Sequence, residues 1–185
     1  MRILGLDPGT HRIGYGLIDA QGQKMTAETY GCLETQAGIF PGDRLVEIDQ
    51  LLASLIHQYR PEVVAIEELY FVQNVTTGLR VAEARGVLVL GSRRAGLPIA
   101  EYKPNLIKST VTGYGLASKQ QVQKMVQMLL NLPTLPKPDD AADGLAIAMC
   151  HAVLSRGKIQ NSHIEIRNDS KKILKSSVSD LSFRA

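Results

Sequence analysis

Residues 2–19, RILGLDPGTHRIGYGLID, decide the fold. The run RILGL is short and apolar, and Asp7-Pro8-Gly9 ends it, so it reads as a buried strand meeting a turn. Ile13 to Asp19 reads as a second strand. Gln21-Gly22 marks a hairpin turn, after which Met25 to Glu34 returns as a third strand. Three consecutive strands with short connections predict an antiparallel meander.

Beyond the meander, Gly38 to Gly42 is a loop, and Asp43 is expected to cap a helix. Leu45, Ile48, Leu52, Leu55 and Tyr59 follow at helical spacing, Leu51 and Ile56 widen the stripe, and Pro61 stops it. Val63 to Ile66 is a fully apolar run ending in Glu67-Glu68, a buried strand by pattern. Strand, helix, strand in this order predicts a right-handed crossover onto the first sheet. Residues 79–95 read as a helix rich in small residues. Ala82, Ala84, Gly86 and Gly91 would admit close approach of another element, from this chain or a second copy. Pro98 to Tyr102 is a fifth strand and Asn105 to Thr112 a short helix. Ser118 is expected to cap a helix carrying Val122, Met125, Val126 and Leu129. Asp139 is expected to cap the last core helix, whose buried face is Ala142, Leu145, Ala146, Met149 and Val153.

The 185 residues suffice for one compact domain. Cys32 and Cys150 form no C-x-x-C pattern, which argues against a disulfide framework or a zinc ribbon and reads as two small buried hydrophobes. No stretch approaches the roughly 20 apolar residues of a membrane helix, and the N-terminal apolar run is too short for a signal peptide. A soluble, cytoplasmic protein without membrane partners is expected. The net charge of +3 is unevenly spread: residues 1–79 carry −5 and residues 80–138 carry +7. Such a basic block suits a phosphate backbone, with Arg80 and Arg85 as contacts, although a solvated surface is the ordinary alternative. From Arg156 the periodicity fades, and residues 155–185 hold seven basic and three acidic side chains. A domain over 1–155 followed by a basic, flexible tail over 156–185 is expected.

Carboxylates carry the chemistry. Asp7 and Glu67 each end a buried apolar strand, a costly place for a charge unless something neutralises it. If the two strands are neighbours, a cation between the carboxylates resolves their repulsion. Asp140 and Asp143, spaced i, i+3 in DDAAD, project from one helical face. An all-carboxylate cluster selects hard cations, Mg²⁺ or Mn²⁺, and such clusters do phosphoryl chemistry with two ions. Each piece also has an ordinary reading. Asp-Pro-Gly is a common turn, Glu67-Glu68 suits a solvated strand end, and Asp140 and Asp143 suit a helix N-terminus.

Five segments, GLDPGTHRIGYGLI, VAIEELYFVQN, ARGVLVL, KSTVTGYGLASKQQVQKMV and DDAADGLAIA, occur in order over roughly residues 1–155. On them the chain closely resembles the bacterial crossover junction endodeoxyribonucleases of the RuvC family. That resemblance implies an α/β, RNase H-like fold with a mixed five-stranded sheet flanked by helices. It implies a homodimer that binds a Holliday junction, a four-way DNA junction, and nicks two strands symmetrically in recombination and repair. It places the catalytic, metal-binding acids on Asp7, Glu67, Asp140 and Asp143, with Mg²⁺ (Mn²⁺ substituting), two ions per site. Tyr70 would stack on junction bases, Lys108 and Lys119 would lie near the scissile phosphate, and the RuvA and RuvB branch-migration complex is the implied partner. Glu68 and Asp139 fall beside the motif positions, and His11 and His151 receive no role. Three rivals remain: a non-catalytic junction-binding protein, against which the intact acidic cluster argues; an RNase H-like nuclease acting on RNA; and an actin-like ATP-binding protein, whose phosphate hairpin DPGTHRIGYGLI also resembles. The last needs a second lobe for which 185 residues are too few.

Overall fold

The computed structural model describes residues 1–69 and 75–160. Five strands, β1 (Arg2–Asp7), β2 (Arg12–Gln21), β3 (Lys24–Glu34), β4 (Val63–Glu67) and β5 (Ile99–Tyr102), form one sheet in the order β3-β2-β1-β4-β5. The meander β1-β2-β3 is antiparallel, as its tight connections require, and β4 and β5 add in parallel beyond β1. This is the mixed five-stranded sheet of an RNase H-like fold. The helices are α1 (Pro41–Tyr59), α2 (Val75–Arg94), α3 (Pro104–Thr112), α4 (Lys119–Leu129) and α5 (Asp139–Gln160).

Strand alternation sorts the core into two layers. Leu4, Leu6, Leu17, Val64 and Ile66 face α1 and α2, packing on Ile48, Leu52 and Leu88. Ile3, Ile18, Val63 and Ala65 face the other way, onto α5 with α3 and α4 outside it. Between α1 and α2 a Cβ on Gly91 would sit 3.0 Å from Asp49 and Leu52, so that small residue serves packing within the chain, whereas Gly86 faces open space.

Helix starts differ from the expected caps in instructive ways. Helix α1 opens at Pro41 with Phe40 at the N-cap, and Asp43 lies inside its first turn. Pro41 has no N–H to leave unsatisfied and a preset φ, so the helix starts earlier than the first polar candidate. Helix α2 is already helical at Val75. Ser118 does cap α4, and Gln121 completes a reciprocal capping box. Asp139 is the first residue of α5, and the carbonyl of Pro138 accepts from Ala141 N–H. On α5, Ala142, Leu145, Ala146 and Met149 are buried as expected, but Val153 is 40% exposed. Ile147, Ala148 and Cys150 are buried too, because α5 lies between the sheet and α3/α4. A helix covered on several sides has no single apolar stripe to read. No helix among the described residues is long and apolar enough to cross a membrane. The expected tail lies largely outside the described residues, and α5 itself runs to Gln160.

Candidate active site

The alternation that buries Ile3 toward α5 also aims Asp7, four residues on along β1, at that helix. On β4, Val63 and Ala65 take the α5 face, and Glu67 follows them. The parallel register pairs Leu6 with Ile66, so Asp7 and Glu67 end adjacent strands side by side. In open α/β sheets, the crevice beyond the carboxyl ends of parallel strands is where ligands bind.

Glycine brings α5 to these strand ends. Gly5 of β1 pairs with Gly16 of β2, and both face the helix. A Cβ on Gly5 would sit 2.6 Å from Ala148 N, one on Gly16 2.5 Å from Leu145 Cα, and one on Gly144 2.6 Å from Gly16 N. Helix and sheet backbones therefore touch without side chains between them. Gly14 lies against Asp140 in the same way. With α5 held this close, Asp140 and Asp143 hang over Asp7, and one carboxylate oxygen from each of the three lies within 4.8 Å of the others.

A cleft of about 240 Å³ opens on this cluster. Asp7, Glu67, Lys108, Lys119 and Asp143 line it. Lys119, the first residue of α4, places Nζ 2.8 Å from Asp139 Oδ2, 2.9 Å from Asp143 Oδ2 and 3.7 Å from Asp140 Oδ1. Five of the expected polar site residues thus line one cleft, and Asp140 joins them through Asp7, Asp143 and Lys119. Tyr70 lies outside the described residues.

The electrostatics follow from crowding. Burial pushes the Asp7 carboxyl up to about 9, and the charge of Glu67, a hydrogen bond with it, and the charges of Asp143 and Asp140 push the same way. Glu67 is raised by burial, against the pull of its hydrogen bond with Asp7 and of Lys108 and Lys119. Burial also raises Asp143, with Lys119 opposing. Asp7 and Glu67 are hydrogen-bonded to each other, and burial favours the protonated form of both. Lys119 itself stays protonated: burial disfavours its charge, but hydrogen bonds to Asp139 and Asp143 outweigh that. The cluster already gathers one ammonium, its donors are all oxygen, and burial raises the carboxyls of Asp7, Glu67 and Asp143 above their ordinary range. These features fit a hard divalent cation.

Sequence reasoning missed three neighbours. Cys32 pairs with Gly14 across β2 and β3, so its thiol reaches Asp140 and donates weakly to Oδ2 at 3.8 Å. Burial and the Asp140 charge push that thiol up to about 12, which keeps it a donor. Asp139 holds Lys119. Arg85, expected as a DNA contact, turns inward: Nε donates to the Glu67 carbonyl at 3.3 Å, and the guanidinium pairs with Glu101 on β5. It ties the ends of β4 and β5 to α2. No periodicity marks any of these three, because each acts across long sequence separations. Arg85→Ala is expected to slow cleavage about tenfold to a hundredfold, as loss of a supporting contact does, with DNA affinity unchanged. A kcat and Kd comparison checks this, since loss of a phosphate contact would instead weaken binding and flatten its salt dependence. Outside the cleft, Glu68 lies past the end of β4 with its N–H on the Tyr102 carbonyl, and His151 meets the Tyr102 hydroxyl at 2.7 Å.

Comparison with known proteins extends these observations. Residues 3–151 match the family model for crossover junction endodeoxyribonuclease RuvC. The crossover junction endodeoxyribonuclease RuvC of Heliobacterium modesticaldum is 53% identical over 152 residues, 82% of this chain and 94% of that one. Thermus thermophilus RuvC, solved in complex with a Holliday junction substrate, superposes with a TM-score of 0.80 at 31% identity, covering 85% of this chain and 96% of that one. The yeast mitochondrial Holliday junction resolvase Ydc2 shares the fold, with a TM-score of 0.60 at 17% identity over 86% of this chain and 84% of its own.

Proposed function

This chain belongs to the RuvC family of crossover junction endodeoxyribonucleases, and from that membership we propose that it is a metal-dependent endonuclease resolving Holliday junctions at the cleft between β1, β4 and α5. The observation that carries the reading is the meeting of four carboxylates from three distant segments beside two lysines.

In this reading Asp7, Glu67, Asp140 and Asp143 hold the divalent cations, two Mg²⁺ per site with Mn²⁺ able to substitute. The cations supply Lewis acidity and a nucleophilic water for hydrolysis of the phosphodiester to 5′-phosphate and 3′-hydroxyl ends. The chain's own residues prepare that chemistry. Asp7, between the two strand ends and α5, would supply a carboxylate at the centre of the ligand set. Burial raises the Asp7 and Glu67 carboxyls, so a cation held there would favour their ionised forms and its uptake would release protons. Lys108 and Lys119 bind the scissile phosphate and offset its charge. The cleft would orient the strand for in-line displacement. Tyr70 stacks on a junction base, a contact open to any base face. A homodimer sets two such sites on opposing strands, which suits a substrate with matching symmetry. RuvA and RuvB are the proposed partners that bring junctions to it.

Chelation of divalent cations is expected to reduce junction cleavage to background while a synthetic four-way junction still binds. Added Mg²⁺ should restore the activity. Gel assays of binding and nicking on the same junction check both halves. Cleavage that persists in excess chelator would remove the metal-dependent reading.

A further inference from the structure

Lys119 and the acidic cluster face a conflict that Asp139 is placed to resolve. The ammonium contacts three carboxylates, but two of them, Asp140 and Asp143, belong with Asp7 to the group able to grip a cation. A divalent cation there competes with Lys119 for the same negative charge and repels it. Asp139 stands outside that group. It makes the shortest of the three contacts, 2.8 Å, and its side chain is 54% exposed, on the solvent side of the cluster. Its position at the start of α5 is fixed by the same close helix–sheet packing that sets Asp140 and Asp143.

We propose that Asp139 is a positioning residue that retains Lys119 at the rim of the cleft when a divalent cation takes the charge of Asp140 and Asp143. The lysine then stays where a phosphate enters and is not expelled into solvent, and the cation need not break all of the lysine's contacts to bind. This inference rests on the cluster binding a divalent cation.

The test is a double-mutant cycle on Mn²⁺ affinity, measured on the full chain without DNA by electron paramagnetic resonance or calorimetry. Asp139→Asn is expected to weaken Mn²⁺ binding about two- to fivefold in the presence of Lys119, the range that an exposed ion pair supports. In a Lys119→Met background the same change should alter affinity by less than about twofold, since a solvent-screened charge acts weakly on its own. Asp139→Glu, which keeps a carboxylate within reach, should behave as the parent does. An equal loss in both backgrounds, or tighter Mn²⁺ binding in Asp139→Asn, would overturn the positioning role while leaving the metal site standing. Failure of the unaltered protein to bind Mn²⁺ would overturn both.

Discussion

Asp7→Asn is expected to slow junction cleavage by about a thousandfold or more, with junction binding retained. Asp7 hydrogen-bonds Glu67 on the neighbouring strand and has a carboxylate oxygen within 4.8 Å of those of Asp140 and Asp143. Asparagine keeps the shape and loses the charge, so the sheet edge survives while cation binding fails. Loss of several kcal/mol of charge stabilisation corresponds to that rate factor. The same variant should change the pH dependence of stability in metal-free protein. The folded-state value of about 9 lies above the ordinary 3.8. The folded protein therefore holds this proton more tightly than the unfolded chain does, and stability falls as pH rises between those two values. Thermal melts of metal-free protein should decline across that window, most of the decline should vanish in Asp7→Asn, and divalent cation should rescue the parent most at the alkaline end. Cleavage within tenfold of the parent would show that Asp7 is not central.

Gly144→Ala should cost both stability and activity, although alanine is ordinarily the better helix former. The added Cβ would sit 2.6 Å from Gly16 N and from Tyr15 Cα, in the backbone of β2, which has no side chain to move aside. Helix α5 must lift, opening the layer it forms with Leu145, Ala146 and Met149 and drawing Asp140 and Asp143 away from Asp7. Overpacking against backbone atoms costs about 1–3 kcal/mol or more, which outweighs a propensity gain of about 1 kcal/mol, so a net loss of stability is expected. Mn²⁺ affinity should drop with it. Gly86→Ala in α2 is the contrast, because nothing lies within 4 Å of its added Cβ. There the reduced freedom of the unfolded chain should stabilise by about 0.4–1 kcal/mol. Chemical denaturation of the two variants separates the cases.

The contrast also shows where the sequence is legible. Strands β1 to β4 could be read because each is an apolar run bounded by turn residues, and the ends of β1 and β4 already stood out as places where Asp7 and Glu67 are costly to bury. The spacing of Asp140 and Asp143 sufficed for a shared helical face. That these three segments converge came from the family resemblance, since nothing local says that β1 and β4 are neighbours. The glycines hold the signal that could have revealed the approach of α5: Gly14 and Gly16 alternate along β2, Gly5 lies opposite, and Gly144 follows the acidic motif. Val153 was misread because α5 is enclosed on several sides, so apolar spacing no longer reports one buried face. The inward partners of Arg85, Glu101 and the Glu67 carbonyl, were not legible because they are joined to it only by the fold.

The most direct test of the account is strand-resolved cleavage of a synthetic four-way junction, labelled on each strand in turn, alongside a linear duplex of the same sequence in Mg²⁺. Paired nicks at matching positions on opposing strands, with 5′-phosphate ends, and little cutting of the duplex are expected. Equal cutting of junction and duplex, or preference for RNA over either, would contradict it.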